Sequence, residues 1–227
     1  MFANQNTATR LRQKFTIEQV TEAFRLLRTE HEVTVTLSEI PLGSPFSAVL
    51  EGRLDAALVE LPVHDPALTV GFRFPPQEQL LAVGTAHPLA SREGVRVEEL
   101  AEFDLLRPVG DAPDYWMAAR VPPTTPSGRP IRSGTGINTI QEGLALVAAG
   151  THAMLVCRPM AQSISRTDVR CLAISEWEEP SQLGLVRRTA DTGPQLTALA
   201  GLLAEVYGGD SPCYAGLSPA PGSRDIA

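Results

Sequence analysis

The sequence contains no apolar run that could cross a membrane. No stretch approaches the roughly 18 to 20 consecutive apolar residues that a spanning helix requires. The first residues, MFANQNTATRLRQKF, have no apolar core ahead of their charges, so they do not match a secretory signal. We therefore expect a cytoplasmic protein.

Cysteine and lysine are both scarce. The three cysteines, Cys157, Cys171 and Cys213, show no metal-ligand spacing, which favours reduced and mostly buried thiols over a disulfide framework. Lys14 is the single lysine, and 26 acidic against 19 basic residues give a net charge of −7. A surface of that sign repels phosphate, so this chain alone is expected to bind nucleic acid poorly.

Motifs that carry known chemistry are missing as well. The sequence has no Walker loop, no G-x-G-x-x-G after a strand, no H-E-x-x-H and no G-x-S-x-G, and GTGIN at residues 134–138 is too short for a dinucleotide fingerprint. The paired carboxylates Glu98 and Glu99 lack the apolar flanks that would raise a pKa and are expected on a solvated face. We predict no catalytic residue, no cofactor and no metal.

What is present is typical of helices packed on a buried sheet. Hydrophobic residues make up 43% of the chain, mostly Ala, Leu and Val, and charged residues 20%. Short apolar or β-branched runs predict strands at residues 33–37, 55–61, 78–84, 104–109, 152–157, 169–174 and 182–188. Continuous apolar runs of this kind are typical of parallel strands buried on both faces, so the fold class is α/β with a parallel sheet.

Helix signals alternate with these strands. Thr16 can cap a helix over residues 17–29, and Thr139 can cap one over 139–149 that Gly150 ends. Ser44 as N-cap, with Pro45 in the first turn, begins a third helix, which Gly52 stops. Residues 97–103 and 194–207 are predicted helices too, whereas residues 121–130 read as a Pro-rich loop and 209–227 as a disordered tail.

Four segments together resemble a known family. SPFSAVLEGRLD running into AALV (residues 44–59), HEVTVTLSE (31–39), LLAVGTAHPLASREGVRVEELAEFDLLRP (80–108) and LALVAAGTHAMLV (144–156) are similar to the effector-binding domain of LysR-type transcriptional regulators. In the first segment Leu50, Gly52, Leu54 and Asp55 stand where the family pattern has them, and we interpret Asp55 as structural.

The resemblance implies two Rossmann-like subdomains joined by two hinge strands, the type II periplasmic-binding-protein fold. Residues 1–84 and 159–208 would form subdomain I, and residues 85–158 subdomain II. A small, anionic or polar effector would lie between them, and the domain would form a homodimer or tetramer through the helices at 17–29 and 140–149. DNA would be bound only through a helix-turn-helix domain that we expect to be absent from this chain. The strand expected before the first helix is poorly represented, because NTATRLRQKF is polar and basic.

Candidate effector-binding residues follow from helix N-termini, where free N–H groups and the helix dipole favour anions. Gly43 and Ser44 open one helix, and a second helix opens with the residues Gly136, Ile137, Asn138 and Thr139. Ser44 and Thr139 could equally be N-cap hydroxyls and nothing more. Gly84 and Thr85 are expected at the cleft floor or, alternatively, in a hinge.

Two histidines near these segments receive structural interpretations. His87 belongs to a turn that Pro88 fixes, and His152 and Cys157 lie five residues apart on one strand, so they face opposite sides and cannot form a nucleophile pair.

An effector would act by favouring a closed cleft and so shifting the population of subunit arrangements.

Two alternative functions share the expected fold. One is a solute-binding protein of a transporter, against which the missing export signal argues. The other is a small enzyme, which would need convergent polar groups that the sequence does not reveal.

Overall fold

Two larger β-sheets and one small sheet organise the chain. The computed structural model describes residues 17–31, 33–150, 152–178 and 180–207. The expected tail at 209–227 and the segment NTATRLRQKF lie outside these ranges. Within them, no helix combines the length and the apolarity needed to cross a membrane.

The first sheet has three strands: β1 (Ala56–Glu60), β2 (Leu68–Arg73) and β9 (Leu183–Arg188), with β9 in the centre. On one face, helices α1 (Ile17–His31) and α6 (Pro194–Tyr207) pack against each other and the sheet. Phe72, Phe74 and Tyr207 are buried there, and the rings of Phe72 and Phe74 meet edge to face at 4.9 Å. The other face packs against the short helix α2 (Ser47–Leu50).

The second sheet has four strands in the order β4-β8-β3-β7: β3 (Gln79–Gly84), β4 (Gly94–Arg96), β7 (Ala153–Cys157) and β8 (Val169–Ser175). Every residue of β3 is buried, so this strand is the centre of the second core. Helix α4 (Ile140–Ala148) covers one face, and the 3₁₀ helices Pro88–Ser91 and Val97–Glu102 cover the other.

The remaining elements connect the two sheets. The small parallel sheet pairs β5 (Arg107–Pro108) with β6 (Gly136–Ile137). Helix α3 (Asp114–Arg120) follows β5, and helix α5 (Arg158–Ser163) follows β7. We call each of the two larger sheets, with the helices packed on it, a unit. Trp116 of α3 packs with Phe46 and Val59 of the first unit, which is built on the β1-β9-β2 sheet, so α3 forms part of the contact between the units.

The expected parallel sheet is wrong for most of the strand pairs described. β9 is antiparallel to β1 and β2, and β3 is antiparallel to β7 and β8, whereas the pairs β4-β8 and β5-β6 are parallel. The chain leaves the first sheet after β2 and returns as β9, which inserts between two strands that run the other way. Continuous apolar runs report burial on both faces and carry no information on strand direction.

The predicted strand at 33–37 is also wrong. Residues 33–40 follow α1 without a strand assignment, and the Leu37 side chain is 71% exposed. Among the described strands β1 pairs with β9 alone, so its other edge has no strand partner. The β-branched residues here have the composition of a strand, but they pair with no strand among the residues that the structure describes.

Sheet membership changes the expected division of the chain. Strand β3 and strand β8 were expected in subdomain I, but both pair in the second sheet. The chain therefore crosses between the sheets before Gln79 and after Ser175, rather than at residue 84. We propose that the two subdomains divide at these crossing segments.

The turn before β1 is built as expected. Gly52 ends α2 with a φ of 73°, a conformation that glycine adopts without steric cost. Asp55 is 86% exposed, and Arg188 holds the turn by donating to the carbonyls of Val49 and Leu54 at 2.7 and 2.9 Å. The segment is architectural, and the guanidinium of Arg188 contributes more to it than Asp55 does.

Candidate functional site

A cavity of about 1020 Å³ lies between the two sheets. The first unit contributes residues of α1, the segment after it and β1, and the second contributes the ends of β5, β6 and β7. The walls from the second unit are mainly apolar, and their buried residues include Leu106, Ile137, Met154 and Val156. A cavity of this size, lined from both units, can enclose a small organic ligand.

The loop with Gly43 and Ser44 forms part of one rim of the cavity, through the neighbouring wall residues Leu42 and Pro45. The Leu42 N–H donates to the Asn138 carbonyl at 3.0 Å, and the Ala112 N–H donates to the Gly43 carbonyl at 2.8 Å. A Cβ atom on Gly43 would stand 2.3 Å from the Val109 carbonyl oxygen, so the two units approach as closely as glycine allows.

Ser44 is not the helix cap that the sequence predicted. Helix α2 begins at Ser47, its N-cap is Phe46, and no side chain caps it. Ser44 instead bonds to Asp111 of the other unit, and the Ser47 hydroxyl donates to the same carboxylate at 2.7 Å. These hydroxyls hold the pKa of Asp111 below its usual value. A carboxylate of the protein itself thus stands where the prediction placed an anionic ligand.

Gly136, Ile137, Asn138 and Thr139 lie opposite that loop. Ile137 is buried and lines the cavity, whereas Gly136 and Asn138 are exposed. The Thr139 hydroxyl accepts from the Glu142 N–H at 3.1 Å, and the Glu142 carboxylate accepts from the Asn138 N–H at 2.7 Å. The Thr139 hydroxyl therefore acts as a cap for its own helix, which was the alternative interpretation.

Gly84 and Thr85 do not lie at the rim of the cavity. They lie at the end of β3 away from the crossing segment, where a Cβ on Gly84 would stand 2.4 Å from the Val147 carbonyl oxygen of α4. The Thr85 N–H donates to the Asp168 carbonyl at 3.0 Å. The chain enters β3 at Gln79, so Gly84 and Thr85 lie at the opposite end of that strand from the crossing segment.

A buried ion pair in the cavity wall was missed by the sequence reasoning. Arg120, at the end of α3, is 8% exposed and pairs with Glu60, at the end of β1. The Ser181 hydroxyl donates to the other Glu60 oxygen at 2.7 Å. Burial lowers the pKa of Arg120 to about 10, so the guanidinium stays charged at neutral pH. Nothing in the local sequence signals this cluster, since its members come from three separate segments.

Cys157 is buried near Arg120, and burial raises the pKa of its thiol. His152 lies at the other end of the same strand, with its Nε2 3.0 Å from the Thr135 hydroxyl oxygen. The two side chains form no nucleophile pair. His87 lies in the predicted turn before Pro88, and its ring accepts from the Leu89 N–H at 3.2 Å. Among the described residues, no group of three His, Cys, Asp or Glu side chains is placed to hold a metal.

Comparison with known proteins identifies the arrangement. Residues 18–208 match the family model of the LysR substrate binding domain. Over 186 residues the chain is 28% identical to the HTH-type transcriptional regulator CatR of Pseudomonas putida, a match that spans 81% of this chain and 63% of the relative. The chain thus corresponds to less than two thirds of that regulator.

Solved structures show the same fold. The effector-binding domain of a BenM variant is 22% identical with a TM-score of 0.66, covering 83% of this chain and 88% of that one. The BenM domain with its effector benzoate is 22% identical with a TM-score of 0.64, covering 91% of each chain. The effector-binding domain of QuiR in complex with shikimate is 14% identical with a TM-score of 0.69, covering 83% and 90%. The expected type II periplasmic-binding-protein fold is confirmed.

Proposed function

Because the chain belongs to the LysR substrate-binding domain family, we propose that it is the effector-sensing part of a LysR-type transcriptional regulator. The single observation that carries this proposal is the cavity of about 1020 Å³ whose walls come from both sheets. A ligand there touches both units at once, so its binding energy depends on their relative position. That dependence is what a sensor needs to shift a conformational equilibrium.

The effector is a small ring carboxylate. The apolar walls around Ile137, Met154 and Val156 favour a hydrocarbon ring, and the buried guanidinium of Arg120 favours a carboxylate. Benzoate, the effector of BenM, and shikimate, bound to QuiR, both combine a six-membered ring with one carboxylate. A ligand that draws Arg120 away from Glu60 would also change the contact between α3 and β1.

The rim residues complete the binding site. We place Gly43 and Ser44 on one side of the cavity mouth, and Gly136, Ile137, Asn138 and Thr139 on the other. The Leu42 to Asn138 hydrogen bond and the Ser44 to Asp111 contact support this assignment, because they join the two sides of the mouth. An incoming carboxylate would compete with Asp111 for the Ser44 and Ser47 hydroxyls.

Ligand binding is read out through subunit arrangement and not through turnover. The domain binds its effector without transforming it, assembles as a homodimer or tetramer, and reaches promoter DNA through a helix-turn-helix domain of the complete regulator. The apolar faces of α1 and α4 are already used within the chain, since Val20, Ala23 and Leu27 pack in the first core and Leu144 and Val147 in the second. Subunit contacts would therefore use the outer, more polar faces of these helices.

Thermal unfolding of the purified domain with benzoate, shikimate and their neutral amides tests this function. A ligand at about 100 times its Kd stabilises the native state by about 2.7 kcal/mol, which raises the unfolding midpoint by several degrees. We expect a saturable rise with at least one carboxylate and none with its amide.

A matched pair of variants assigns the rise to the cavity. Ser38 is exposed and lines the cavity, so Ser38→Trp should fill part of it and abolish the rise. Ser91 is equally exposed but lies outside the cavity, so Ser91→Trp should leave the rise intact. No saturable rise with any ring carboxylate, or a rise that survives Ser38→Trp, would contradict the proposal.

A further inference from the structure

A second cavity, of about 330 Å³, lies on the crossing segments between the two sheets. We call it the hinge pocket and define it by Leu61, His64, Arg73, Gln79, Arg120 and Ser181. Its walls combine the turn after β1, the end of β2, the start of β3, the end of α3 and the approach to β9. Of the described polar residues in its wall, only Arg120 also lines the larger cavity.

Gln79 gives the hinge pocket a specific chemical requirement. Its side chain is 5% exposed, and its Oε1 atom accepts no hydrogen bond from any residue that the structure describes. The backbone of Gln79 is fixed by its pairing with Cys157 at the start of the β3-β7 ladder. A buried acceptor without a donor is unfavourable, and a ligand hydroxyl entering the pocket would satisfy it.

The charges around the hinge pocket favour an anionic group on the ligand. Arg73 and Arg120 both line it, and no acidic side chain is among the described residues of its wall. Glu60 pairs with Arg120 from outside the pocket, on the side of the larger cavity. A guanidinium has five N–H donors, so Arg120 can hold Glu60 and still donate to a second anion.

We propose that the hinge pocket is a second ligand site, specific for a small hydroxycarboxylate. The ligand hydroxyl donates to Gln79 Oε1, and its carboxylate accepts hydrogen bonds from Arg120 and Arg73. Because its walls come from both crossing segments, such a ligand would bias the hinge on which closure of the larger cavity depends. The site differs from the proposed effector cavity in both position and ligand chemistry.

The test uses two ligands that differ by one hydroxyl. Isothermal titration of the domain with L-malate and succinate should give a Kd at least tenfold lower for malate, because only malate can donate to Gln79. Gln79→Met keeps the length of the side chain and removes the acceptor. In this variant malate should bind as weakly as succinate, while the Kd of succinate changes by less than about twofold.

Gln141→Met is the matched control, because Gln141 is exposed on α4 and lies outside both cavities. It should keep the full preference for malate. Without ligand, Gln79→Met should unfold at the wild-type temperature or above, since it removes an unsatisfied buried acceptor. An unfolding temperature at or above that of the wild type shows that Gln79→Met is folded. Weaker malate binding by this variant is then not caused by unfolding.

Several outcomes would overturn the proposal: equal affinities for the two acids, no binding of either, or a malate preference that survives Gln79→Met. Ser38→Trp separates this proposal from the effector function. If Ser38→Trp abolishes malate binding, malate occupies the larger cavity and the hinge pocket is not a site. If the malate preference depends on Gln79 while no ring carboxylate stabilises the domain, the hinge site stands and the effector proposal fails.

Discussion

At the scale of single residues, the most consequential group is one that the sequence could not reveal. Ser181 and Glu60 are 121 positions apart, and Arg120 comes from a third segment, yet all three meet at the hinge. Local patterns report periodicity and caps, whereas a buried ion pair depends on how whole elements pack. The candidate segments at 43–44 and 136–139 face each other across the Leu42 to Asn138 hydrogen bond, although Ser44 does not cap a helix. The other two candidates, Gly84 and Thr85, lie elsewhere, at the far end of β3.

The first prediction concerns this ion pair. Arg120→Met leaves Glu60 half-enclosed without its cation and should lower the free energy of unfolding by about 3 kcal/mol. The double variant Arg120→Met/Glu60→Leu should recover most of that loss, because it leaves no unpaired charge. Urea unfolding of the two single variants and the double variant measures the coupling. Strictly additive losses would show that the pair contributes nothing beyond its separate members.

A second prediction at this scale is a pH dependence. Glu99 accepts from the Arg92 guanidinium and from the Arg96 N–H, and these bonds lower its pKa from 4.5 to about 2. Since the pKa is lower in the folded state, the stabilisation is present above pH 4.5 and is lost as the pH falls toward 2. Glu99→Gln should therefore lower stability at pH 7 by about 1 kcal/mol, as for a well-formed exposed pair.

Thermal unfolding of the wild type and Glu99→Gln between pH 7 and pH 2 checks this. The gap between the two midpoints should close as the pH falls through that window. Glu93→Gln is a suitable control, because Glu93 is an exposed glutamate of the neighbouring loop. A gap that persists unchanged at pH 2 would assign the effect to packing rather than to ionisation.

At the scale of elements, continuous apolar runs predicted where most strands lie, but they did not predict which strands pair. The helix after Thr139 and the helix at 194–207 are present, and Thr139 forms the predicted cap. The cap at Ser44 failed because Asp111, from a distant segment, takes the hydroxyl. Residues 33–37 have strand composition, but a strand also needs a neighbour, and no single-segment pattern supplies that information.

Helix α4 gives the prediction at this scale. Thr139→Ala removes the hydroxyl that accepts from the Glu142 N–H and should cost about 1 kcal/mol of stability. Thr139→Ser keeps the hydroxyl and should recover most of the loss. Chemical unfolding of both variants is sufficient to measure the difference. If serine were no better than alanine, the threonine methyl group rather than the cap would be responsible.

At the scale of the whole molecule, the resemblance to LysR-type domains predicted the fold more completely than the residues alone did. Periodicity led to an α/β protein with a parallel sheet, but the strand directions follow from two crossings between the units, which only the complete topology shows. The same crossings create both cavities, because each lies between segments from different units. The Ser44 to Asp111 contact and the Leu42 to Asn138 bond join the units at the mouth, and we propose that ligand binding and closure are coupled through these residues.

The measurement that tests the central claim most directly is a methyl NMR titration of the domain with benzoate and shikimate. Ile137 and Met154 line the cavity between the sheets, whereas Leu202 and Leu203 are buried in the first core and do not line it. We predict that a stabilising carboxylate shifts the Ile137 and Met154 methyl resonances saturably, with the midpoint found in thermal unfolding, and moves those of Leu202 and Leu203 little. Resonances of Ile137 and Met154 that stay fixed while the ligand saturates the protein would place the ligand elsewhere and contradict the account.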